Sequence, residues 1–90
     1  RKVYIPNAFS PYGDNVNEYF YIHGGDGIVE IERFIIFERR GGTVFDQSNI
    51  QPNDPTVGWD GTLKGKKMNP AVFVYYAEIK FIDGKTEIFS

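Results

Sequence analysis

The segment from Ile28 to Arg39 leaves the backbone little choice. Val29, Ile31, Arg33, Ile35 and Phe37 alternate with Glu30, Glu32, Phe34, Ile36 and Glu38. In an extended chain successive side chains point to opposite sides, so a spacing of two sorts these residues onto two faces. A helix would scatter Ile35, Ile36 and Phe37 around its circumference, and its preceding turn would crowd the β-branched and aromatic side chains. The apolar set becomes continuous only in the middle of the run, which predicts a central strand covered on both faces there.

The same spacing recurs along the chain, and Gly and Pro punctuate it too often for helices of three turns. A first strand is expected over Val3 to Ala8, with Val3 and Ile5 on one face. Pro6, which has no N–H for a ladder, marks an edge or an end. Ser10 to Asn17 carries Pro11, Gly13, Asp14, Asn15 and Asn17, residues that accept left-handed backbone or bond neighbouring amides, so an ordered loop is expected. Glu18 to His23 places Phe20 and Ile22 opposite Tyr19, Tyr21 and His23, and Gly24 to Gly27 turns the chain. Gly41-Gly42 reads as a two-residue hairpin turn into Thr43 to Gln47. Ser48 to Met68 reads as a long polar connection pinned to the core by Val57, Trp59 and Leu63, with Trp59 the chief anchor. Ala71 to Ile82 is a long strand, Asp83-Gly84 a two-residue turn, and Lys85 to Phe89 the return. Six or seven such strands predict an all-β fold, an Ig-like antiparallel β-sandwich, formed as one domain over residues 1–90.

A 90-residue chain hides only about 60 to 65% of its unfolded surface, so its one core must be dense in large apolar groups. Eight Phe, six Tyr and one Trp provide that density. A net charge of -2 offers no basic excess for nucleic acid or acidic lipid. The chain has no cysteine, hence no disulfide framework or thiolate metal site. No apolar run is long enough for a helical membrane span, and Arg1-Lys2 is not followed by the apolar stretch of a signal peptide.

Reaction chemistry finds little foothold. Gly24-Gly25-Asp26-Gly27 resembles a phosphate cradle only in composition, because such loops open a helix and here a strand comes next. His23 is the only histidine, and no Ser sits in a strand-to-helix elbow. Most of the twelve carboxylates fall at turns or on outward faces. The best candidate for a site is Asp14-Asn15-Val16-Asn17-Glu18, where Asp14, Asn17 and Glu18 offer oxygen atoms to a hard cation such as calcium. The stretch is too short to supply six or seven ligands alone. The competing reading is a loop held by Asx-type bonds to its own backbone. Neither catalysis nor an obligatory cofactor is expected.

Four motifs carry a resemblance over nearly the whole chain. Pro6 to Phe20 reads PNAFSPYGDNVNEYF, Ile36 to Phe45 reads IFERRGGTVF, Gly58 to Lys66 reads GWDGTLKGK, and Pro70 to Tyr75 reads PAVFVY ahead of the Asp83-Gly84 hairpin. In this order they resemble the type B C-terminal sorting domain of the type IX secretion system, also called the gliding motility-associated C-terminal domain. Its corresponding phrases run PNAFSPNGDGINDxF, IFNRWGxxVF, GWDGTxxGK and PGVYVY. The chain departs from them at Tyr12, Asn15, Glu18 and Arg40, which stand where the family usually has Asn, Gly, Asp and Trp. The resemblance implies that Asn7, Phe9, Pro11, Gly13, Asp14, Asn17, Trp59, Asp60 and Gly61 form the recognition and structural motif. It also implies a further strand after Ser90 that ends near a basic residue.

In function, the resemblance implies an address label at the end of a large secreted or surface protein of Bacteroidetes-type bacteria. After the parent crosses the inner membrane, the domain folds in the periplasm and is read by the outer-membrane export machinery. The parent then ends up secreted or held at the outer-membrane surface. An open strand edge is the expected contact and also a route to self-association. The alternative reading is an Ig-like adhesion or glycan-binding module. That reading requires Tyr19, Tyr21, Tyr75 and Trp59 to face solvent.

Overall fold

The computed structural model describes residues 3–5, 19–68 and 71–90. The loop expected over Ser10 to Asn17, and the end of the first strand, lie outside the described residues. The described chain contains eight strands in order: β1 (Val3–Tyr4), β2 (His23–Gly24), β3 (Ile28–Glu38), β4 (Gly42–Ile50), β5 (Thr62–Leu63), β6 (Lys66–Lys67), β7 (Phe73–Phe81) and β8 (Thr86–Phe89). One short 3-10 turn, Pro55–Val57, interrupts the connection after β4. The fold is an all-β antiparallel sandwich. Its main layer is a four-stranded sheet in the order β4-β3-β7-β8. The facing layer is built from small pieces: the β1–β2 pair, an isolated bridge between Phe20 and Trp59, and the β5–β6 hairpin.

The alternation over Ile28 to Arg39 becomes a strand as expected, but its phase breaks. Pairing between β3 and β7 slips one residue between Ile28 and Glu30 and again between Ile31 and Arg33. Each slip is a β-bulge that inserts an unpaired residue and turns the side chains after it to the other face. The inward set is therefore Ile28, Ile31, Phe34 and Ile36, opposite Phe81, Ile79, Ala77 and Tyr75 of a regular β7. Ile31, Phe34, Ile36, Ala77 and Ile79 are at most 1% exposed. Ile35 and Phe37 turn outward and are only half-buried, so the central strand is fully covered on one face and not on both. A third slip, between Ile36 and Phe37 in the pairing with β4, turns Val44 into the core.

Three turns also differ from expectation. The β3–β4 turn is closed by the Gly41 amide donating to the Glu38 carbonyl, so Arg39 and Arg40 are its central residues. Gly41-Gly42 lies on the exit side, where Gly42 takes φ 114°, a value that penalises any Cβ. Likewise the Gly84 amide donates to Phe81, which makes Ile82 and Asp83 the centre of the last turn and Gly84 its left-handed exit. Between Ser48 and Met68 the chain is more regular than expected. β4 continues to Ile50, and β5–β6 is a hairpin closed by two residues, Lys64 and Gly65, both at positive φ. Leu63, expected to be an anchor, is 40% exposed on that hairpin.

The layers are joined by packing and by backbone. Phe20, Ile22 and Trp59 of the thin layer are buried against the sheet, with the Phe20 and Phe34 rings 5.8 Å apart. Asn53, at φ 63°, ties the connection after β4 to the thin layer. Its backbone N–H donates to the Ile22 carbonyl at 2.8 Å, its Nδ2 donates to the Gly24 carbonyl at 2.9 Å, and its Oδ1 accepts the Gly24 amide at 3.1 Å. On the outer face Arg33 grips Asp46 with two parallel bonds, Nε to Oδ1 at 3.2 Å and a terminal nitrogen to Oδ2 at 2.8 Å. That hydrogen bonding holds the Asp46 carboxyl below its usual value. A depressed folded-state value stabilises at neutral pH, and the contribution is lost as acid titrates through it. Both side chains face solvent, so the effect is small.

The bulges make a distinguishing prediction. Phe34→Ala should cost about 3–5 kcal/mol, while Ile35→Ala, one residue on but facing outward, should cost clearly less than the about 2–5 kcal/mol of a buried Ile. Urea melts of the two variants measure this, and equal costs would contradict the phase shift.

Candidate functional site

The stretch Gly58 to Lys66 is a chain of local devices whose purpose is to seat one side chain. Gly58 runs so close to the preceding segment that a Cβ there would fall 2.6 Å from the Phe20 carbonyl oxygen and 2.8 Å from Tyr21 Cβ. That approach permits the two-way bridge in which the Phe20 amide donates to Trp59 at 2.7 Å and the Trp59 amide donates to Phe20 at 2.9 Å. The Trp59 indole is 3% exposed and meets the Phe73 ring edge-on at 4.9 Å. Its Nε1 donates to the Thr62 carbonyl at 2.9 Å, which satisfies the one polar atom that burial would otherwise strand. Asp60 holds that carbonyl in place: its Oδ1 accepts the Thr62 amide at 3.0 Å and the Thr62 hydroxyl at 2.7 Å. Gly61, at φ 86°, completes the turn, and its carbonyl accepts the Met68 amide. Asp54 and Thr56 repeat the same side-chain clasp at the start of the 3-10 turn.

Of the expected motif residues, Trp59, Asp60 and Gly61 are thus brought together around the bridge to Phe20. Asn7, Phe9, Pro11, Gly13, Asp14, Asn17 and Glu18 lie outside the described residues. Among the described residues no group of three or more His, Cys, Asp or Glu side chains is placed to hold a metal ion. His23 packs between two tyrosines, with ring centroids 5.5 Å from Tyr4 and 4.3 Å from Tyr21.

The sheet has two edges of different character. Along β4, the slip at Val44 and the left-handed Asn49, whose side-chain Nδ2 donates to Glu30 Oε1, interrupt any regular row of hydrogen-bonding groups. Along β8 the register with β7 is unbroken, from Ala77 opposite Phe89 to Lys80 opposite Thr86. The Phe81 amide donates to the Lys85 carbonyl, so by antiparallel alternation Lys85, Glu87 and Phe89 turn their backbone groups toward β7. Thr86 and Ile88 turn theirs away. The Ile88 side chain is 63% exposed beside that edge.

Residues 3–89 match the family model of the CHU_C type IX secretion signal domain. No curated protein and no solved structure matches the chain.

The seating of Trp59 is testable by stability. Trp59→Ala should cost about 3–5 kcal/mol. Gly58→Ala, a single added methyl pressed against backbone, should cost about 1–3 kcal/mol. An unchanged urea midpoint for Gly58→Ala would show that the two backbones do not need to approach so closely.

Proposed function

The chain belongs to the type IX secretion signal domain family, and from that membership we propose that it is a non-catalytic C-terminal sorting domain, directing export and surface attachment of a parent protein. The observation that carries this reading is the extent of the match: residues 3–89 take in every strand of both layers. The signal is then a folded object rather than a short linear tag. After crossing the inner membrane the domain closes in the periplasm, and the outer-membrane export machinery reads its surface.

The contact we propose is the β8 edge. Unpaired amides and carbonyls along a regular strand accept another strand, and side chains beside them provide selectivity. Thr86 and Ile88 offer such groups, and β4 does not offer an uninterrupted row. The same edge can pair two copies of the domain, which makes self-association the competing use of it.

A second reading, glycan contact, is favoured by one specific feature. Tyr4 and Tyr19 are 60% and 46% exposed, and the Tyr4 ring stacks in series with His23, which in turn meets Tyr21. Trp59 and Tyr75 turn toward the core and cannot contribute to such a face. Tyr4→Ala with Tyr19→Ala should leave export unchanged under the sorting reading, whereas loss of retention on a polysaccharide column with export intact would support glycan contact.

Fusing Arg1 to Ser90 to a reporter in a type IX-competent cell tests the proposal. The wild-type fusion should reach the cell surface, and its retention in the periplasm would contradict the sorting role. Ile88→Pro removes an N–H that faces away from β7 and leaves the ladder bonds in place. It should hold the reporter in the periplasm while keeping a near-native urea midpoint. Equal display of this variant would refute the edge contact alone.

A further inference from the structure

Arg39 and Arg40 are exposed at the centre of the β3–β4 turn, beside a cleft of about 590 Å³ lined by Glu38, Arg39, Arg40, Ala71 and Val72. The geometry explains how the two guanidiniums are left available. The neighbouring Glu38 carboxylate folds back over the turn: its Oε2 accepts the Arg40 amide at 3.0 Å and lies 2.7 Å from the position a Cβ on Gly41 would take. Glu38 is thereby committed to the backbone, and neither guanidinium has an ion-pair partner among the described residues. The opposite wall is set by a backbone bond, the Arg39 amide to the Val72 carbonyl at 2.9 Å. That bond brings Ala71 and Val72 alongside the turn and leaves the Val72 side chain 54% exposed.

We propose that this cleft is a docking site for an extended acidic peptide segment of a partner protein, one that sets a carboxylate on Arg39 and Arg40 and an apolar side chain on Val72. Three features select this occupant. Guanidinium is planar and presents paired donors that match a carboxylate, and two consecutive arginines lining one cleft favour a ligand carrying more than one negative charge. The chain as a whole is acidic, at a net charge of -2, so a local cationic recess sets the orientation of an approaching acidic partner. The recess is concave with an apolar wall, which suits a narrow strand with alternating side chains. A flat layer of anionic headgroups would instead reach protrusions such as the exposed Lys64 and Lys66 on the β5–β6 hairpin. This inference goes beyond the sorting role and does not depend on the β8 edge.

The test uses the whole 90-residue chain and a fluorescently labelled short peptide alternating Glu and Val, with its Gln counterpart and phosphatidylglycerol vesicles as separate arms. Binding is followed by anisotropy at low salt and by co-sedimentation. The Glu peptide should bind the wild-type chain, the Gln peptide should bind at least about tenfold more weakly, and Arg39→Gln with Arg40→Gln should lose about tenfold in affinity for the Glu peptide. Lys64→Gln with Lys66→Gln should leave that affinity within about twofold, which separates the cleft from general positive charge. Near-ultraviolet circular dichroism of Trp59 checks that the variants are folded. No binding of the Glu peptide, equal binding by the arginine variant, or binding of the vesicles alone would each overturn the proposal.

Discussion

The reciprocal backbone bridge between Phe20 and Trp59 is the constraint on which the rest of the molecule depends. A four-stranded sheet with one apolar face cannot stand alone in water, because Phe34, Ile31, Ile36, Ala77 and Ile79 need a cover. Among the described residues the cover contains no long strand. It is assembled from two-residue pairs and a single bridge, elements too short to be stable by ladder bonds. What holds them is the burial of Phe20, Ile22 and Trp59 against the sheet, together with side chains that imitate backbone: Asn53 pairing with Gly24, and Asp60 and Asp54 clasping the residues two positions on. Every donor that Trp59 takes into the core finds an acceptor, so its large surface is buried without an orphaned polar atom.

Most of the sheet is legible in the sequence because its signal is local. β7 keeps strict alternation from Phe73 to Phe81, and the pattern alone places Tyr75, Ala77 and Ile79 on one face. In β3 the same reasoning finds the strand but expects its middle to be covered on both faces, where one face alone is buried. Val29 and Glu32 are bulge residues, and nothing in a run of residues distinguishes a bulge from an ordinary strand position when the residue is apolar or charged rather than Gly. The apolar spacing in Ile28, Ile31 and Phe34 is the available clue: a step of three inside a period-two strand marks an extra residue. Turns are misplaced for a related reason. Glycine pairs such as Gly41-Gly42 read as turn centres, but a glycine is equally needed at the exit of a turn whose centre is held by Arg39 and Arg40. The Lys64-Gly65 hairpin escapes notice because Lys is an uncommon occupant of a left-handed position.

The candidate motif is legible in a different way. Trp59, Asp60 and Gly61 stand out through their order along the chain beside the other motifs, a matter of resemblance, while their physical role emerges only from three-dimensional contacts separated by 39 positions, such as Phe20 with Trp59. Those contacts make Gly58 to Lys66 a structural lock. The contacts proposed above use other surfaces, the regular edge of β8 and the arginine cleft at the β3–β4 turn. A division of this kind suits a sorting signal, since residues that hold the fold can stay constant while exposed ones meet the partner.

If the bridge is what couples the thin layer to the sheet, the two layers must unfold together. Native-state hydrogen exchange reads this residue by residue. Such coupling requires that the amides of Phe20 and Trp59 exchange only through the same global opening that exposes Phe34 and Ala77, with matching free energies and denaturant dependence. Rapid exchange at Phe20 and Trp59 while Phe34 and Ala77 stay protected would show that the sheet stands without its cover, and would contradict it.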